Sequence, residues 1–382
     1  MSTITETLFS GMKTSIHPPK RLLYGPGPSQ VYPRIYQAMA QPIVGHLDPY
    51  FFQVSQGVQK GLRAVFGTKN ELTIPISATG SGGMETAIAN FIEPGTKLAL
   101  FVNGFFGERI GEMAKRHGAE IVRLEKPWGE SFSDDEADKF IRRERPQVVA
   151  FVQAETSTGV FQQSKALCAA AHEVDAVVIG DCVTSLGAMP VNVDDNGIDV
   201  AYSCSQKGLS APPGLSPMTI SLRAQERLSQ RKQSCRSWYF DLSLIQDYLT
   251  VSHRYHHTAS ATLFYALHEA LAIIEEEGLE LRQQRHFKAH QRFVAGIERL
   301  GLKMHVAEEH RIWNLNTPRV PEGVNETKVR AYLLEKHGIE IAGGFGPLAG
   351  KIFRIGIMGP LATDEGVDRF LAKFDEAMKE SR

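Results

Sequence analysis

The sequence predicts an α/β protein: a large domain built on a doubly wound, mainly parallel sheet, followed by a smaller C-terminal α+β domain. Three observations carry this. Between about Leu72 and Leu222, short apolar runs alternate with longer stretches of helical apolar spacing, the pattern of βαβ units. Beyond them the character changes to a long helical pattern, short strand-like runs and one amphipathic helix. The chain of 382 residues is also long enough for two buried cores. The expected divisions are an N-terminal extension at 1–21, the large domain at 22–280 and the small domain at 281–382.

The elements follow in order. "KLALFVNG" reads as a strand and "GERIGEMAKRHG" as a helix closed by Gly118. "AEIVRLE" is a strand, "DDEADKFIRRERP" a helix stopped before Pro146, and "QVVAFVQAE" a strand. "SKALCAAAHEVD" is a helix, and "AVVIGD", "DVAYSC" and "MTISL" are three more strands. In "ISATGSGGMETAIANFIEPG" a helical pattern begins near Gly83. "LFYALHEALAIIEEEGLELRQQRHFKAHQRFVAGIERLG" keeps helical spacing over most of its length and suits one long element linking two domains. "IEIAGG" and "KIFRIGIMG" are short strand-like runs. The last helix opens at Thr363 and places Val367, Phe370, Leu371, Phe374 and Met378 on one face.

Composition narrows the function classes. A formal charge of −1 with interspersed acids and bases predicts neither a basic groove for nucleic acid nor a polybasic membrane patch. No run approaches the roughly 18–20 apolar residues of a membrane span. The first residues, "MSTITETLFSGMKTSIHPPKR", lack the apolar core of a secretory signal, and "KESR" is no clear peroxisomal address. A cytoplasmic location is expected. Cys168, Cys182, Cys204 and Cys235 form no CxxC pair and read as free thiols.

The chemistry centres on "AYSCSQKGLSAPPG", where Lys207 sits in a loop of Ser, Gly and Pro just past an apolar run. Taken alone, such a lysine is an ordinary surface turn. Asp181, however, ends the apolar strand "AVVIGD", so both groups sit where parallel sheets bind ligands, at the carboxyl ends of strands. A strand-end Asp that merely caps the next turn is equally common. A lysine forming a Schiff base and an acid pairing with a ring nitrogen are the two fixed partners that pyridoxal phosphate needs. A phosphate cradle is the third requirement. Thr79, Gly80 and Ser81 precede a helical pattern and supply candidate N–H groups and hydroxyls. No GK[ST] follows, and "GSGGME" is not GxGxxG, so the P-loop and dinucleotide fingerprints are absent. Arg354, flanked by apolar residues in "KIFRIGIMG", is either paired structurally or aimed into a pocket, where its planar fork suits a carboxylate. His256 and His257 are adjacent, and adjacent histidines point apart on most backbones, so no metal set is expected.

The chain resembles the class V aminotransferases of fold type I, and among them the alanine–glyoxylate (serine–pyruvate) branch. "GPGPS", "ETSTG", "GDCVTSLG", "YSCSQKGLSAPPG", "RYHHT" and "GKIFRIGIMG" carry the resemblance, in family order over nearly the whole chain beyond the first twenty residues. It implies pyridoxal 5'-phosphate as cofactor, with Lys207 as its Schiff-base lysine and Asp181 as partner of the ring nitrogen. It also implies that Thr79, Gly80, Ser81 and Gln206 hold the phosphate and that Thr156 approaches the phenolic oxygen. Val183 would pack on one ring face and Phe106 on the other, where relatives often have Trp or Tyr. Phe106 keeps the stacking and lacks a hydrogen-bonding edge. Tyr255 and Thr258 would reach the phosphate of a neighbouring subunit, which implies a homodimer with shared sites. Arg354 would hold the substrate carboxylate, Gly27 would line the pocket, and Gly45 and His46 would form a second substrate loop.

The implied reaction is a ping-pong transamination from alanine to glyoxylate, giving pyruvate and glycine. Serine or 3-hydroxykynurenine are alternative donors. A cysteine desulfurase needs a nucleophilic cysteine in its C-terminal part, and here every cysteine lies at or before Cys235. A cofactor-binding protein without turnover stays open, although Lys207 and Asp181 argue against it. A lyase using a lysine Schiff base without cofactor would leave Asp181 and the cradle without a role.

Overall fold

A computed structural model of the chain describes residues 16–381; most of the predicted N-terminal extension lies outside the described residues. Seven strands form the central sheet: β1 (Thr73–Ile76), β2 (Lys97–Val102), β3 (Glu120–Glu125), β4 (Val148–Val152), β5 (Val177–Asp181), β6 (Val200–Tyr202) and β7 (Ser216–Ile220). Their spatial order is β1-β7-β6-β5-β4-β2-β3. All run parallel except β7, which is antiparallel to both neighbours. Strands β1, β4, β5, β6 and β7 are buried along their whole length, which is why "QVVAFVQAE", "AVVIGD" and "DVAYSC" carry apolar runs at β4, β5 and β6. Edge strand β3 alternates charge with apolar residues and is half exposed, which discourages further pairing.

Helices cover the sheet. The ones that matter for the site are α1 (Gly80–Phe91), following β1, and α2 (Phe105–His117), following β2. Helix α2 ends at Gly118, as its sequence predicts. Helix α3 (Asp134–Glu144) opens with a Ser133–Glu136 capping box and stops at Arg145, ahead of Pro146. Helix α1 starts three residues earlier than the Gly83 expected, so Thr79 is its N-cap and Gly80 and Ser81 lie in its first turn.

Three apolar runs divide in space. "QVVAFVQAE" leaves the sheet at Gln153, and Ala154–Glu155 pairs instead with Val160–Phe161, because the Glu155 carboxylate turns to the start of α2. "IEIAGG" splits between two sheets: β8 (Ile339–Glu340) pairs with Leu22–Leu23, and β9 (Ala342–Gly343) pairs with β10 (Phe353–Gly356). The expected long linking element is two helices, α4 (Ala261–Glu277) and α5 (Leu279–Arg299), which Gly278 separates at φ 82. That left-handed φ is open to glycine at little cost. Across the corner Glu277 accepts from both Arg282 and Arg285, at 2.9 and 2.6 Å.

A second apolar core gathers from Ala289 onward around β10 and α6 (Asp364–Glu380). Thr363 caps α6, and Val367, Phe370 and Phe374 are fully buried beneath it. This core also takes in Tyr24, whose ring lies 4.9 Å from that of Phe370. Residues 22–24, placed with the large domain on sequence order, therefore pack with the C-terminal core. The parallel pairing of Leu22–Leu23 with Ile339–Glu340 holds them there. No helix of the described residues is long and apolar enough to cross a membrane.

Candidate active site

The carboxyl ends of the parallel strands bring together most of the residues singled out above. Asp181 terminates β5 and is buried. Its Oδ1 accepts from the Val183 N–H at 2.9 Å and its Oδ2 from the Tyr202 hydroxyl at 2.8 Å. Burial outweighs these two donors and pushes the carboxyl up to about 7, with the nearby Glu155 acting in the same direction.

Lys207 follows β6 and is likewise buried, its Nζ donating to the Pro26 carbonyl. Desolvation holds its ammonium below the usual lysine range, and the Arg354 cation adds to the effect. Three successive carbonyls of this loop are clamped. The Ser29 N–H binds Gln206 O and the Ser29 hydroxyl binds Lys207 O, each at 2.8 Å, while Arg282 Nη2 binds Gly208 O at 2.8 Å. Gly27, at φ 130, lies against the lysine stem; a Cβ there would stand 2.7 Å from Lys207 Cε. The loop is built of small residues because the lysine side chain and its neighbours pack against backbone.

The cradle forms at the start of α1. Thr79 makes no side-chain cap, and the N–H groups of Gly80 and Ser81 have no protein acceptor among the described residues. A helix N-terminus left open in this way favours an anion. Val183 borders it: its Cγ2 is 3.2 Å from where a Cβ on Gly80 would stand. The Gln206 side-chain oxygen is buried without a hydrogen-bond partner among the described residues, and Thr156 hydrogen-bonds to the Thr184 hydroxyl. At the rim, Arg109 lies 4.9 Å over the Phe106 ring and donates to Ser81 Oγ at 2.9 Å.

Arg354 reaches in from β10, buried to 4% exposure, with Nε donating to Gly343 O at 2.7 Å. Burial lowers its guanidinium to about 10, opposed by the charge of Glu155. Neither terminal nitrogen is hydrogen-bonded to protein among the described residues, so the fork is free.

The remaining sequence-predicted residues form a separate patch. Tyr255 is 57% exposed, Thr258 and Gly45 are exposed, and His46 meets Tyr255 with ring centroids 5.1 Å apart. No hydrogen bond or ring contact joins them to Lys207, Asp181 or Arg354 among the described residues. One correction concerns the histidine pair. The rings of His256 and His257 do not point apart: their Nδ1 atoms are 2.8 Å from one another, and His257 Nε2 is 2.6 Å from Ser77 Oγ, just ahead of the cradle. The 252–258 segment is not extended, so alternation of side chains does not apply. Among the described residues no three His, Cys, Asp or Glu side chains cluster as a metal site.

Glu155 was missed as a site residue. It is fully buried, and its carboxylate accepts from Phe106 and Gly107 N–H at the start of α2 and from the Ser157 N–H and hydroxyl. A Cβ on Gly104 would run into this side chain. The visible signal was a lone acid ending an apolar strand run, the same signal that marked Asp181. Arg282, fully buried behind the lysine loop, had no such signal inside an amphipathic helix.

The residues present suit pyridoxal phosphate. The open helix start offers unpaired donors to a phosphate, and a desolvated amine and a buried acid lie at adjacent strand ends. This arrangement on a mainly parallel sheet defines a fold type I pyridoxal-phosphate transaminase. Residues 26–370 match the aminotransferase class-V family, and the chain belongs to it. Over 376 residues it is 40% identical to an alanine–glyoxylate aminotransferase of Drosophila melanogaster, covering 97% of this chain and 95% of that one. Over 378 residues it is 36% identical to an (S)-ureidoglycine–glyoxylate transaminase of Bacillus subtilis (strain 168), covering 94% and 91%. The solved structure of an alanine–glyoxylate aminotransferase from Nostoc sp. superposes with a TM-score of 0.95 at 42% identity, covering 97% of this chain and 98% of that one. The enzyme is thus a transaminase and its cofactor is pyridoxal phosphate.

Proposed function

We propose that this enzyme moves the amino group of alanine to glyoxylate, giving pyruvate and glycine in two half-reactions. The observation that carries the reading is the free, buried fork of Arg354 beside the desolvated Lys207 amine. One group binds a small acid by its carboxylate while the other works at the adjoining carbon. When bound, the cofactor supplies the electron sink that lets a proton leave the substrate Cα. The protein's part is to orient and to move protons. Lys207, held below the usual lysine range, would present a neutral amine that takes the proton from the substrate Cα and gives it up again on the far side of the amino nitrogen. Asp181, kept dry and in register by Tyr202 and Val183, would pair with the ring nitrogen as its counter-charge. Thr79, Gly80, Ser81 and Gln206 would hold the phosphate. Thr156 would serve the phenolic oxygen, and Val183 and Phe106 would enclose the ring.

Absorbance tests this. The visible band of the purified enzyme should be bleached by alanine and restored by glyoxylate, and Lys207→Ala should do neither. A wild-type band indifferent to both substrates would end the reading. Glyoxylate as acceptor gains support from the relatives, since both the alanine and the ureidoglycine enzymes are named for it. The ureidoglycine relative favours a second donor, so (S)-ureidoglycine belongs beside alanine and serine in the same assay.

We also infer a homodimer in which Tyr255 and Thr258 reach the neighbouring subunit's phosphate. Tyr36, Ile43, Leu47, Tyr50, Val251 and Tyr255 are large apolar side chains left exposed on two segments that meet through the Tyr248–His46 hydrogen bond. Sedimentation of the holoenzyme should give twice the chain mass, and Tyr255→Ala should speed cofactor loss.

A further inference from the structure

One face of the Arg354 guanidinium is covered. Its Cζ lies 3.8 Å from the centroid of the Phe345 ring, close enough for the ring face to rest on the cation. Phe345 in turn meets Phe105, with centroids 5.1 Å apart, and Arg109 lies over Phe105 at 5.1 Å. Because Arg109 also binds Ser81, a continuous row of cation, ring, ring and cation crosses the cleft. It runs from β10 of the C-terminal core to the first turn of α1.

The loop bearing Phe345 is fixed in shape. A Cβ on Gly344 would run into the Leu348 carbonyl. Gly346 adopts φ 47, and a Cβ there would stand 3.2 Å from the Trp128 ring. The Trp128 carbonyl is itself held by His305 at 2.8 Å. Phe345 keeps 37% of its surface exposed, so core burial does not account for its position. Its ring contacts are with the arginine and with Phe105.

We propose that Phe345, backed by Phe105, is a specificity-determining residue that restricts this transaminase to substrates with small side chains. The inference rests on the reading of Arg354 as the carboxylate partner. A carboxylate meets a guanidinium in its plane, on the two terminal nitrogens, which here are free. Phe345 lies on the face instead and does not compete. It keeps water off the cation, which strengthens the pairing, and it fills the volume that a bulky side chain needs. Alanine carries a methyl group and glyoxylate a hydrogen, so both fit with the ring in place. A larger substrate must push the ring off the cation.

The test uses the holoenzyme and two readouts. Calorimetry gives dissociation constants for acetate and for 3-phenylpropionate, neither of which can react. Kinetics gives kcat/KM for alanine and for phenylalanine. In Phe345→Ala the bulky-to-small ratio of kcat/KM should rise at least tenfold and the bulky-to-small ratio of dissociation constants should fall at least tenfold, acetate should bind several-fold more weakly, and Phe345→Leu should fall between. A ratio within twofold of wild type overturns the proposal. If Phe345→Ala loses its cofactor band through misfolding, Phe105→Ala reads the same ratio from the backing residue. Should the wild type fail to use alanine and glyoxylate, the proposed reaction falls, and the ratio of the two unreactive acids still decides the role of Phe345.

Discussion

Asp181 and Tyr202 are register partners on adjacent parallel strands, and the Tyr202 phenol donates to Asp181 Oδ2 at 2.8 Å. Both are buried, so this bond forms out of reach of water. It stabilises the ionised acid, while burial opposes ionisation and wins, leaving the carboxyl at about 7. Hydrogen bonds to charged groups contribute about 1.5–3 kcal/mol, equivalent to roughly one to two pH units. In Tyr202→Phe apoprotein, Asp181 should therefore titrate at least about one unit higher, read by carbon NMR of labelled aspartate. An unmoved titration would deny Tyr202 this role.

The same carboxyl makes apoprotein stability depend on pH. Its folded value of about 7 lies above the ordinary 3.8, so the folded state prefers the neutral form. The stabilisation is complete below 3.8 and is lost as pH rises through about 7. Urea midpoints of the apoprotein should fall across that window, and Asp181→Asn should flatten the slope. Glu155, also raised by burial, acts with the same sign, so adding Glu155→Gln to Asp181→Asn should remove a further part of the fall.

Removing the fork should appear in substrate binding before it appears in turnover. Arg354→Gln deletes a charge-assisted pair worth about 1.5–3 kcal/mol, so KM for both substrates should rise by roughly 10- to 100-fold with a smaller change in kcat. Arg354→Lys should recover only part of this, because an ammonium offers no planar pair of donors. Unchanged KM values would place the substrate carboxylate elsewhere.

The histidine pair has a fixed proton arrangement. The Trp238 carbonyl can only accept, so His256 must carry its proton on Nε2, 3.2 Å away. His256 Nδ1 then accepts from His257 Nδ1–H, and His257 Nε2 accepts from the Ser77 hydroxyl. Nitrogen NMR of labelled histidine should find these opposite tautomers. His257 should stay neutral down to about pH 4, since burial and the neighbouring His256 and His46 disfavour its charge. Finding the His257 proton on Nε2 would contradict the chain of donors.

Arg282 supports Lys207 from behind, bonding Gly187 O at 3.0 Å and Gly208 O at 2.8 Å. Arg282→Met should lower stability by about 3–5 kcal/mol, the usual result of breaking a buried pair. Urea unfolding of the holoenzyme measures it, and a loss below about 1 kcal/mol would make the clamp dispensable.

Much of this architecture was legible because the signals are local. Buried parallel strands must be continuously apolar, so "AVVIGD" declared β5 and left Asp181 at its end. Thr363 and Gly118 marked helix ends through capping chemistry. What escaped was decided by tertiary contacts. Gly278 looks like one tolerated glycine in a helical pattern, yet the corner it makes is braced by Glu277 with Arg282 and Arg285. The break at Gln153 depends on Glu155 finding the start of α2, and the meeting of Phe345 with Arg354 spans elements whose relative placement no periodicity encodes. The site residues on the Tyr255 patch came from family resemblance alone, since nothing in "RYHHT" by itself predicts exposure.

The pairing of Leu22–Leu23 with Ile339–Glu340, and of Tyr24 with Phe370, bears on how the chain is made. A ribosome releases residues 22–24 some three hundred residues before their partners exist. The sheet domain has all its strands much earlier and can collapse during elongation, as domains generally do. Residues 22–24 must then wait, unpaired and apolar, until the Asp364–Glu380 helix emerges. Closing that long loop is slow to begin because its entropy is lost before any contact rewards it. The C-terminal core therefore closes only once the Asp364–Glu380 helix has been made, and Tyr24 is among the last side chains to find its place.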